Sequence, residues 1–552
     1  MSEYYDTFLE ESLFEEFDAA LYHELCAWGE MSIGDHLEYR VDTHPETTAV
    51  TDDDRSLTWR ELGERADGLA AALWELGLEE GDRVSLHLPN VVEWHVARLG
   101  IFRAGLVTAT LMPRYRRKEI EHLVRKEAPR AYIGPVNYRD YDHVETLLDL
   151  QSDVDSLEHV IAVGEGVPDG ALEFGELVAT DSSGFVPGGL GPDYPDRLRH
   201  TGGTTGMPKP VYWTSNCRRA WTEPICNQFG ITPYDDVLGL APFPHGISLP
   251  LAFTGILLTG ATAHITDPGN SPEEYWERIN EVEPTVITAA PTQLNKMKDV
   301  DGADDYSLES VRLIVFSGEP IPSATADYFE ARDTTVVSYY GVTEGGAGFI
   351  VHPGETKAVR RSTAGKPMPF VDCKIVGEGG ETLGTGEVGE LVYSGPNLAF
   401  GFYDEPELTR EEYQIADGKV WIRTGDAASI DERGNVSLKG RVDDMILRGG
   451  QNIFPTNIED HIADLDAVTE VAVVGMPDPQ YGQRACAFVV AERDLTLEDI
   501  TDLLDERGLA KYKWPERLEH LDEMPKTAAN KIDKMALGER IEATLREEGK
   551  LD

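Results

Sequence analysis

Nine residues restrict the fold of this chain more than any others: Thr201-Gly202-Gly203-Thr204-Thr205-Gly206-Met207-Pro208-Lys209. Glycines let backbone N–H groups close in on an anion, the threonine hydroxyls donate further hydrogen bonds, and Lys209 adds charge; together these suit a polyphosphate. Pro208 and Pro210 bracket the lysine, so no helix can start there. The arrangement therefore differs from the Walker loop, which places Gly directly before Lys and opens a helix. It is expected between two strands, with residues 210–213 as the second.

At 552 residues the chain exceeds what one hydrophobic core supports, which implies a large domain and at least one smaller one. Residues 60–77 carry apolar side chains at Leu62, Ala66, Leu69 and Leu73, a helical spacing, and residues 83–88 follow as a short apolar run. The pattern returns with a helix at 275–282 and strands at 285–289 and 313–316. Alternation of this kind predicts an α/β fold: a large N-terminal domain of several subdomains, with layered sheets and helices. Beyond about residue 370 the texture turns to short strands with Gly-rich turns. Near Arg441 a new unit starts, with helices predicted at 458–465 and 497–506 and strands at 468–474 and 485–490. The expected division is 1–442 and 443–552, the second part being a smaller, mobile α+β domain.

The charge speaks of habitat more than of chemistry. There are 100 acids against 49 bases, of which 16 are lysines, for a formal net charge of −51. Such a surface repels nucleic acid and anionic membranes, and excludes both as partners. Spread along the whole chain, the acids imply a protein working in concentrated salt. Residues 1–35 lack the basic start and unbroken apolar core of a secretory signal, and no run reaches a membrane-spanning length; the longest, around residues 250–263, is broken by Gly. A cytoplasmic protein of a halophile is the expectation. The five cysteines are scattered, with no CxxC pair and no histidine at ligand spacing, so neither a disulfide framework nor a structural zinc is expected.

The loop at 201–209 resembles the phosphate loop of the adenylate-forming superfamily, which includes acyl-CoA synthetases, peptide-synthetase adenylation domains and luciferases. Further matches follow in the family's order. Gly318-Glu319-Pro320 resembles the segment lining the adenine pocket, and Ser338-Tyr339-Tyr340-Gly341-Val342-Thr343-Glu344 the aromatic-Gly-x-Thr-Glu motif. The resemblance implies that Tyr340 stacks on adenine, that Thr343 contacts the α-phosphate, that Glu344 holds Mg²⁺ and that Gly341 borders the acid. Arg423-Thr424-Gly425-Asp426 is similar to the motif whose carboxylate accepts both ribose hydroxyls. Gly440-Arg441-Val442-Asp443 resembles the hinge motif, with Arg441 near the nucleotide and Asp443 at the pivot. Gly449 and Gly450 match glycines that line the thiol tunnel. Pro525-Lys526-Thr527-Ala528-Ala529-Asn530-Lys531-Ile532 is similar to the terminal motif whose lysine, here Lys531, bridges the reacting carboxylate and the α-phosphate. Asn530 stands where the family has Gly, and Asn tolerates the left-handed backbone nearly as well.

The resemblance covers about residues 32–537 and implies an ATP-dependent, AMP-forming ligase. It would activate a carboxylic acid, aryl or acyl, as an acyl-adenylate with release of pyrophosphate, and transfer the acyl group to CoA. An alternative acceptor is the phosphopantetheine of a separate carrier protein. Implied catalytic groups are Lys531, Lys209, Glu344, Thr204 and His245; Thr201, Gly202, Gly203, Thr205 and Gly206 would bind ATP beside them. Several segments look most like aryl-acid AMP ligases of the 2,3-dihydroxybenzoate type. At Pro244-His245-Gly246-Ile247-Ser248-Leu249-Pro250-Leu251, however, Gly246 and Leu251 stand where an Asn and a Ser would bind a ring hydroxyl. A hydroxyl left unpaired there costs about 1–3 kcal/mol, so an acid without an ortho-hydroxyl is expected. His245 borders the acid pocket by the same likeness, or is a plain packed histidine.

Two rival readings are weaker. Gly384-Thr385-Gly386-Glu387-Val388-Gly389 fits GxGxxG but runs into a strand instead of opening a helix, so it reads as a β-turn. A catalytically inactive binding protein on the same fold would be expected to have lost a charged group, whereas Lys209, Glu344, Asp426, Arg441 and Lys531 are all present. The charge generates the first prediction. Folding and activity should require salt of order 1 M, where screening acts within about 3 Å; an unchanged melting temperature and full activity at ~0.1 M would refute it.

Overall fold

Short, mostly apolar runs become most of the inner strands of two large sheets. The computed structural model describes residues 7–10, 12–13, 17, 19–188, 190–201, 207–449, 451–465, 467–526 and 532–551. Val286–Ala289 and Leu313–Phe316 are buried along their whole length, the signature of strands covered on both faces. They lie in a nine-stranded sheet ordered Lys366–Pro367, Gly346–Ile350, Thr335–Val342, Leu313–Phe316, Val286–Ala289, Asp236–Gly239, Thr262–Ile265, Thr48–Thr51, Ser56–Thr58. The strands from Thr335–Val342 to Thr48–Thr51 run parallel. A seven-stranded sheet runs Leu172–Glu173, His159–Val163, Ala131–Pro135, Arg83–Leu86, Val107–Thr110, Pro195–His200, Pro210–Thr214. Only its last pair is antiparallel.

Helices Trp59–Glu75 and Val92–Arg103 fill the core that these sheets share. The first starts at a capping box: the Thr58 side chain accepts from the Glu61 N–H, and Glu61 reaches back to the Thr58 N–H. It stops before Gly77, whose φ of +88° suits the left-handed exit. Its buried face, Leu62, Ala66, Leu69 and Leu73, is the one the helical spacing predicts. The segment around 250–263 becomes a π-helical turn, Pro250–Gly255, followed by Ile256–Thr259 and the strand Thr262–Ile265.

After residue 370 a five-stranded antiparallel sheet forms from Asp372–Val376, Gly389–Ser394, Lys419–Ile430, Tyr413–Ala416 and Val436–Arg441. The GxGxxG stretch is the turn leading into Gly389–Ser394, with Gly386 at φ +81°. The smaller C-terminal domain has its own sheet, centred on Val468–Asp478 and Gly482–Ala491, covered by Pro455–Ile462, Leu497–Glu506 and Lys534–Glu547. Its first helix starts three residues earlier than the apolar spacing suggests, because Pro455 is preorganised for a first turn. Among the described residues no helix is long and apolar enough to cross a membrane.

A buried ion cluster joins these layers. Asp196, on the strand Pro195–His200, is fully buried. It accepts both Arg218 Nη1 and Nη2, at 2.6 and 2.5 Å, and Ser215 Oγ at 2.8 Å, with Arg98 Nη2 3.2 Å away. Burial pushes the Asp196 carboxyl up, and the guanidinium groups of Arg218 and Arg98 together pull it below the ordinary carboxylate range. Asp196→Asn leaves two buried cations without their anion and should cost about 3–5 kcal/mol, read as a lowered denaturant midpoint. Because the folded value lies below the unfolded one, the contribution of Asp196 is present above about pH 4 and is lost as pH falls through the folded value.

Candidate active site

Four of the motifs singled out in the sequence sit where parallel strands end. His245 and Gly246 follow Asp236–Gly239, Gly318-Glu319-Pro320 follows Leu313–Phe316, Thr343 and Glu344 follow Thr335–Val342, and Thr201 follows Pro195–His200. The carboxyl ends of open α/β sheets are where ligands bind, because the strands diverge there and their connections leave a crevice. Gly318, at φ +97°, brings the first two together: a Cβ on it would lie 3.6 Å from His245 Cε1 and 3.8 Å from Ile247 Cδ1. Glu319 and Pro320 are exposed beside it.

Tyr340, Asp426 and Arg441 meet although 86 and 15 residues separate them. Tyr340 Oη donates to Asp426 Oδ2 at 2.5 Å. Arg441 Nη1 donates to Asp426 Oδ1 at 3.3 Å and to Thr424 O at 2.8 Å. The antiparallel register sets the second contact, since Asp426 lies directly opposite Arg441. Gly425, at φ +65°, admits the guanidinium: a Cβ there would meet Nη2 at 2.5 Å. Burial and the Asp426 charge push the Tyr340 phenol well above its ordinary range, so it remains a donor. Asp443, largely exposed, stands 3.8 Å from Arg441 Nη2.

The turn after Tyr340 is fixed by its backbone. Glu344 O accepts from Tyr413 Oη at 2.7 Å and from Ala399 N at 3.0 Å, while Asn397 Nδ2 donates to Gly345 O and Ala347 O. Thr343 and Glu344 are half-buried on it. Burial pushes the Glu344 carboxyl up and Glu412 adds to this, against Arg199 and Arg441. Glu344 makes no ion pair among the described residues, and no cluster of three or more His, Cys, Asp or Glu side chains able to hold a metal ion occurs among them.

At the foot of the phosphate loop, Thr201 N donates to Lys209 O at 2.9 Å and Lys209 N to Thr201 Oγ1 at 3.3 Å, so the two strands close the loop as a hairpin. The Lys209 side chain is exposed. Gly202, Gly203, Thr204, Thr205 and Gly206 lie outside the described residues, as do Gly450 and Lys531. Gly449 has φ +57° and its N–H donates to Tyr481 O at 2.7 Å.

Two residues of the acid segment differ from expectation. Leu251 is fully buried in the main core, on the π-helical turn, and presents no accessible surface. Gly246 does not leave its place empty: a Cβ there would fall 2.7 Å from Arg199 Nη2 and 3.3 Å from Arg199 Cζ, so the guanidinium already fills that space. Arg199 is absent from the sequence reading. Its signal was the run Asp196-Arg197-Leu198-Arg199-His200 on an inner strand, where buried strands are ordinarily apolar throughout. A test of the site's rigidity uses Gly341, where a Cβ would meet Gly346 O at 1.9 Å and Ala347 Cα at 2.6 Å, both backbone atoms. Gly341→Ala should cost on the order of 3 kcal/mol in an unfolding titration. Gly538→Ala, in a helix with nothing within 4 Å, should hold stability or raise it by about 1 kcal/mol.

Comparison with known proteins bears on the whole length. The AMP-binding enzyme family matches residues 37–403, and the AMP-binding enzyme C-terminal domain matches residues 457–531. The medium-chain fatty-acid–CoA ligase of Escherichia coli (strain K12) is 28% identical, the match covering 96% of this chain and 94% of that protein. The salicyl-AMP ligase / salicyl-S-ArCP synthetase of Mycobacterium tuberculosis (strain ATCC 25618 / H37Rv) is 30% identical over 94% of this chain and 92% of its own length. In fold, the crystal structure of the anthranilate CoA ligase AuaEII in complex with anthranoyl-AMP matches with a TM-score of 0.84 at 24% identity, covering 94% of this chain and 98% of that one. With the motif residues gathered at the strand ends and a family match over more than half its length, the chain belongs to the AMP-binding enzyme family of adenylate-forming ligases.

Proposed function

We propose that the protein joins a carboxylic acid to the thiol of CoA at the expense of ATP, by way of an acyl-adenylate. The observation that carries this reading is the convergence of Tyr340 and Arg441 on Asp426 beside the Glu344 turn. An ionised carboxylate is a pure acceptor able to take two donors at once, as the paired hydroxyls of a ribose require. The Tyr340 hydrogen bond holds its ring in one orientation, as a stacking surface for adenine requires.

In the first half-reaction a carboxylate oxygen of the acid attacks the α-phosphorus of ATP, and pyrophosphate departs with the electrons of the cleaved P–O bond. Lys209, Thr201, Thr204 and Thr205 hold the departing pyrophosphate, and Thr343 contacts the α-phosphate. The Glu344 carboxylate, half-buried and free of ion pairs among the described residues, fits Mg²⁺, which takes one or two carboxylates and completes its shell with phosphate and water oxygens. Bound there, the cation would offset phosphate charge. Lys531 neutralises charge at the reacting carboxylate, and His245 borders it. In the second half the thiol attacks the acyl carbonyl and AMP leaves. Residues 443–552 act as the mobile lid, pivoting at Asp443 to withdraw Lys531 and present Gly449 and Gly450 to the pantetheine arm.

Pyrophosphate release across a panel of acids, with acyl-CoA measured when free CoA is the sole acceptor, tests the reading. Adenylate without acyl-CoA would move the acceptor to a carrier protein. For Lys531→Ala, adenylate formation should slow by about 10²- to 10³-fold, while synthetic acyl-adenylate and CoA should yield thioester near the unmutated rate in single-turnover experiments. Equal losses in both halves would make the lysine structural.

A further inference from the structure

The strand Pro195–His200 carries four ionisable residues next to the hairpin of the phosphate loop. Three are satisfied within the protein. Asp196 is held by Arg98 and Arg218; Arg197 donates to Thr110 Oγ1 at 3.2 and 3.1 Å and to Pro244 O at 3.3 Å; and His200 pairs with Glu127 at 2.5 Å. The Arg199 side chain makes no hydrogen bond or ion pair with any described residue.

Its guanidinium lies against the bare face of Gly246, with the Trp213 ring 5.9 Å from Cζ. Tyr339 is not its partner, since that hydroxyl donates to Gly246 O at 2.5 Å and to Ile247 O at 2.9 Å. Glu344 is close enough for Arg199 to feel its charge but makes no ion pair with it. Arg98 and Arg218 share Asp196, whereas half-buried Arg199 has only the charge of Glu344 near it. A cation partly withdrawn from water with no acceptor for its donors is unfavourable unless a ligand supplies one. The residues around this one, His245, Gly246, Tyr340, Gly341 and Thr343, are half-buried instead of sealed.

We propose that Arg199 selects the acid, pairing with a second carboxylate so that the preferred substrates are dicarboxylic acids activated at one end. This rests on the acid-activating reading above. A planar guanidinium matches a carboxylate through two parallel hydrogen bonds. The second carboxylate is the better partner because it keeps its charge throughout. The reacting carboxylate loses its charge on becoming a mixed anhydride, so a strong fixed pair with it would favour the ground state over the transition state.

The experiment measures pyrophosphate release with ATP and matched pairs of acids: linear α,ω-dicarboxylates of three to eight carbons against monocarboxylates of equal length, and benzenedicarboxylates against benzoate. The best dicarboxylate should exceed its partner in kcat/KM by about tenfold to a hundredfold, the range of a charge-assisted hydrogen bond. Arg199→Met should collapse that ratio without lowering the monocarboxylate alongside. Gly246→Ala, which drives the guanidinium from its place, should lower the same ratio, and keeps the test open should Arg199→Met fail to fold. Without ATP, the favoured dicarboxylate should raise the melting temperature of the unmutated protein and not of Arg199→Met. The proposal is overturned if no dicarboxylate surpasses its partner, if the variant slows all acids alike, or if Arg199 dependence appears for salicylate and not for diacids. Failure of every acid to release pyrophosphate would instead overturn the parent reading.

Discussion

One carboxylate, Asp426, links two sheets that otherwise have separate architectures. Tyr340 reaches it from the nine-stranded sheet, and Arg441 from the neighbouring strand of the small antiparallel sheet. Each contact is a hydrogen bond to an ionised acceptor, roughly twice as strong as a neutral one. The pairing ties the two sheets together across the crevice. It also ties the crevice to the next segment of chain, because Arg441 is two residues from Asp443 and Gly440 packs so closely on Thr456 that a Cβ would lie 2.8 Å from Oγ1. A single carboxylate thereby couples the crevice to the start of the C-terminal domain.

The second organising feature is charge inside the seven-stranded sheet. Burying Asp196 between two guanidinium groups gains little net stability over an apolar cluster of the same shape, because desolvation offsets most of the attraction. What such a cluster supplies is position. The guanidinium groups of Arg98 and Arg218 come from helices Val92–Arg103 and Ser215–Phe229, and their shared anion fixes both helices to the strand that leads into the phosphate loop. The loop's hairpin then begins from a strand that cannot slide, since a shift of one residue would put Pro195 or Arg197 in the place of Asp196 across the buried face.

Much of this was legible in the sequence. Alternating helical and strand periods gave the α/β class, and the spacing at Leu62, Ala66, Leu69 and Leu73 gave the buried face of a helix correctly, because amphipathic period is a local signal. The bracketing prolines of Lys209 forced a hairpin, and Pro195–His200 does pair antiparallel with Pro210–Thr214. The meeting of Tyr340, Asp426 and Arg441 was visible only through the order of the motifs, since no local rule brings residues 340 and 426 together. The π-helical turn at Pro250–Gly255 escaped detection because its five-residue hydrogen bonding depends on packing against Ser215–Phe229, not on composition. Arg199 escaped for a related reason: reading Gly246 as a missing side chain treats the position in isolation, whereas the space belongs to whichever residue reaches it first.

The charge of the exterior bears on how substrates reach the protein. ATP and carboxylic acids are anions, and they approach a chain of formal charge −51. At ~0.01 M salt the Debye length is about 30 Å, so an incoming anion feels the repulsion of the whole surface; at ~1 M it is about 3 Å and the surface is almost silent. Buried charges are screened far less, because salt does not enter the low-dielectric interior. Raising the salt therefore removes the repulsion of the exterior while weakening fully buried pairs, such as Asp196 with Arg98 and Arg218, far less. An acidic exterior is compatible with anionic substrates for this reason, because its repulsion fades as the salt concentration rises while the buried pairs that hold the fold persist.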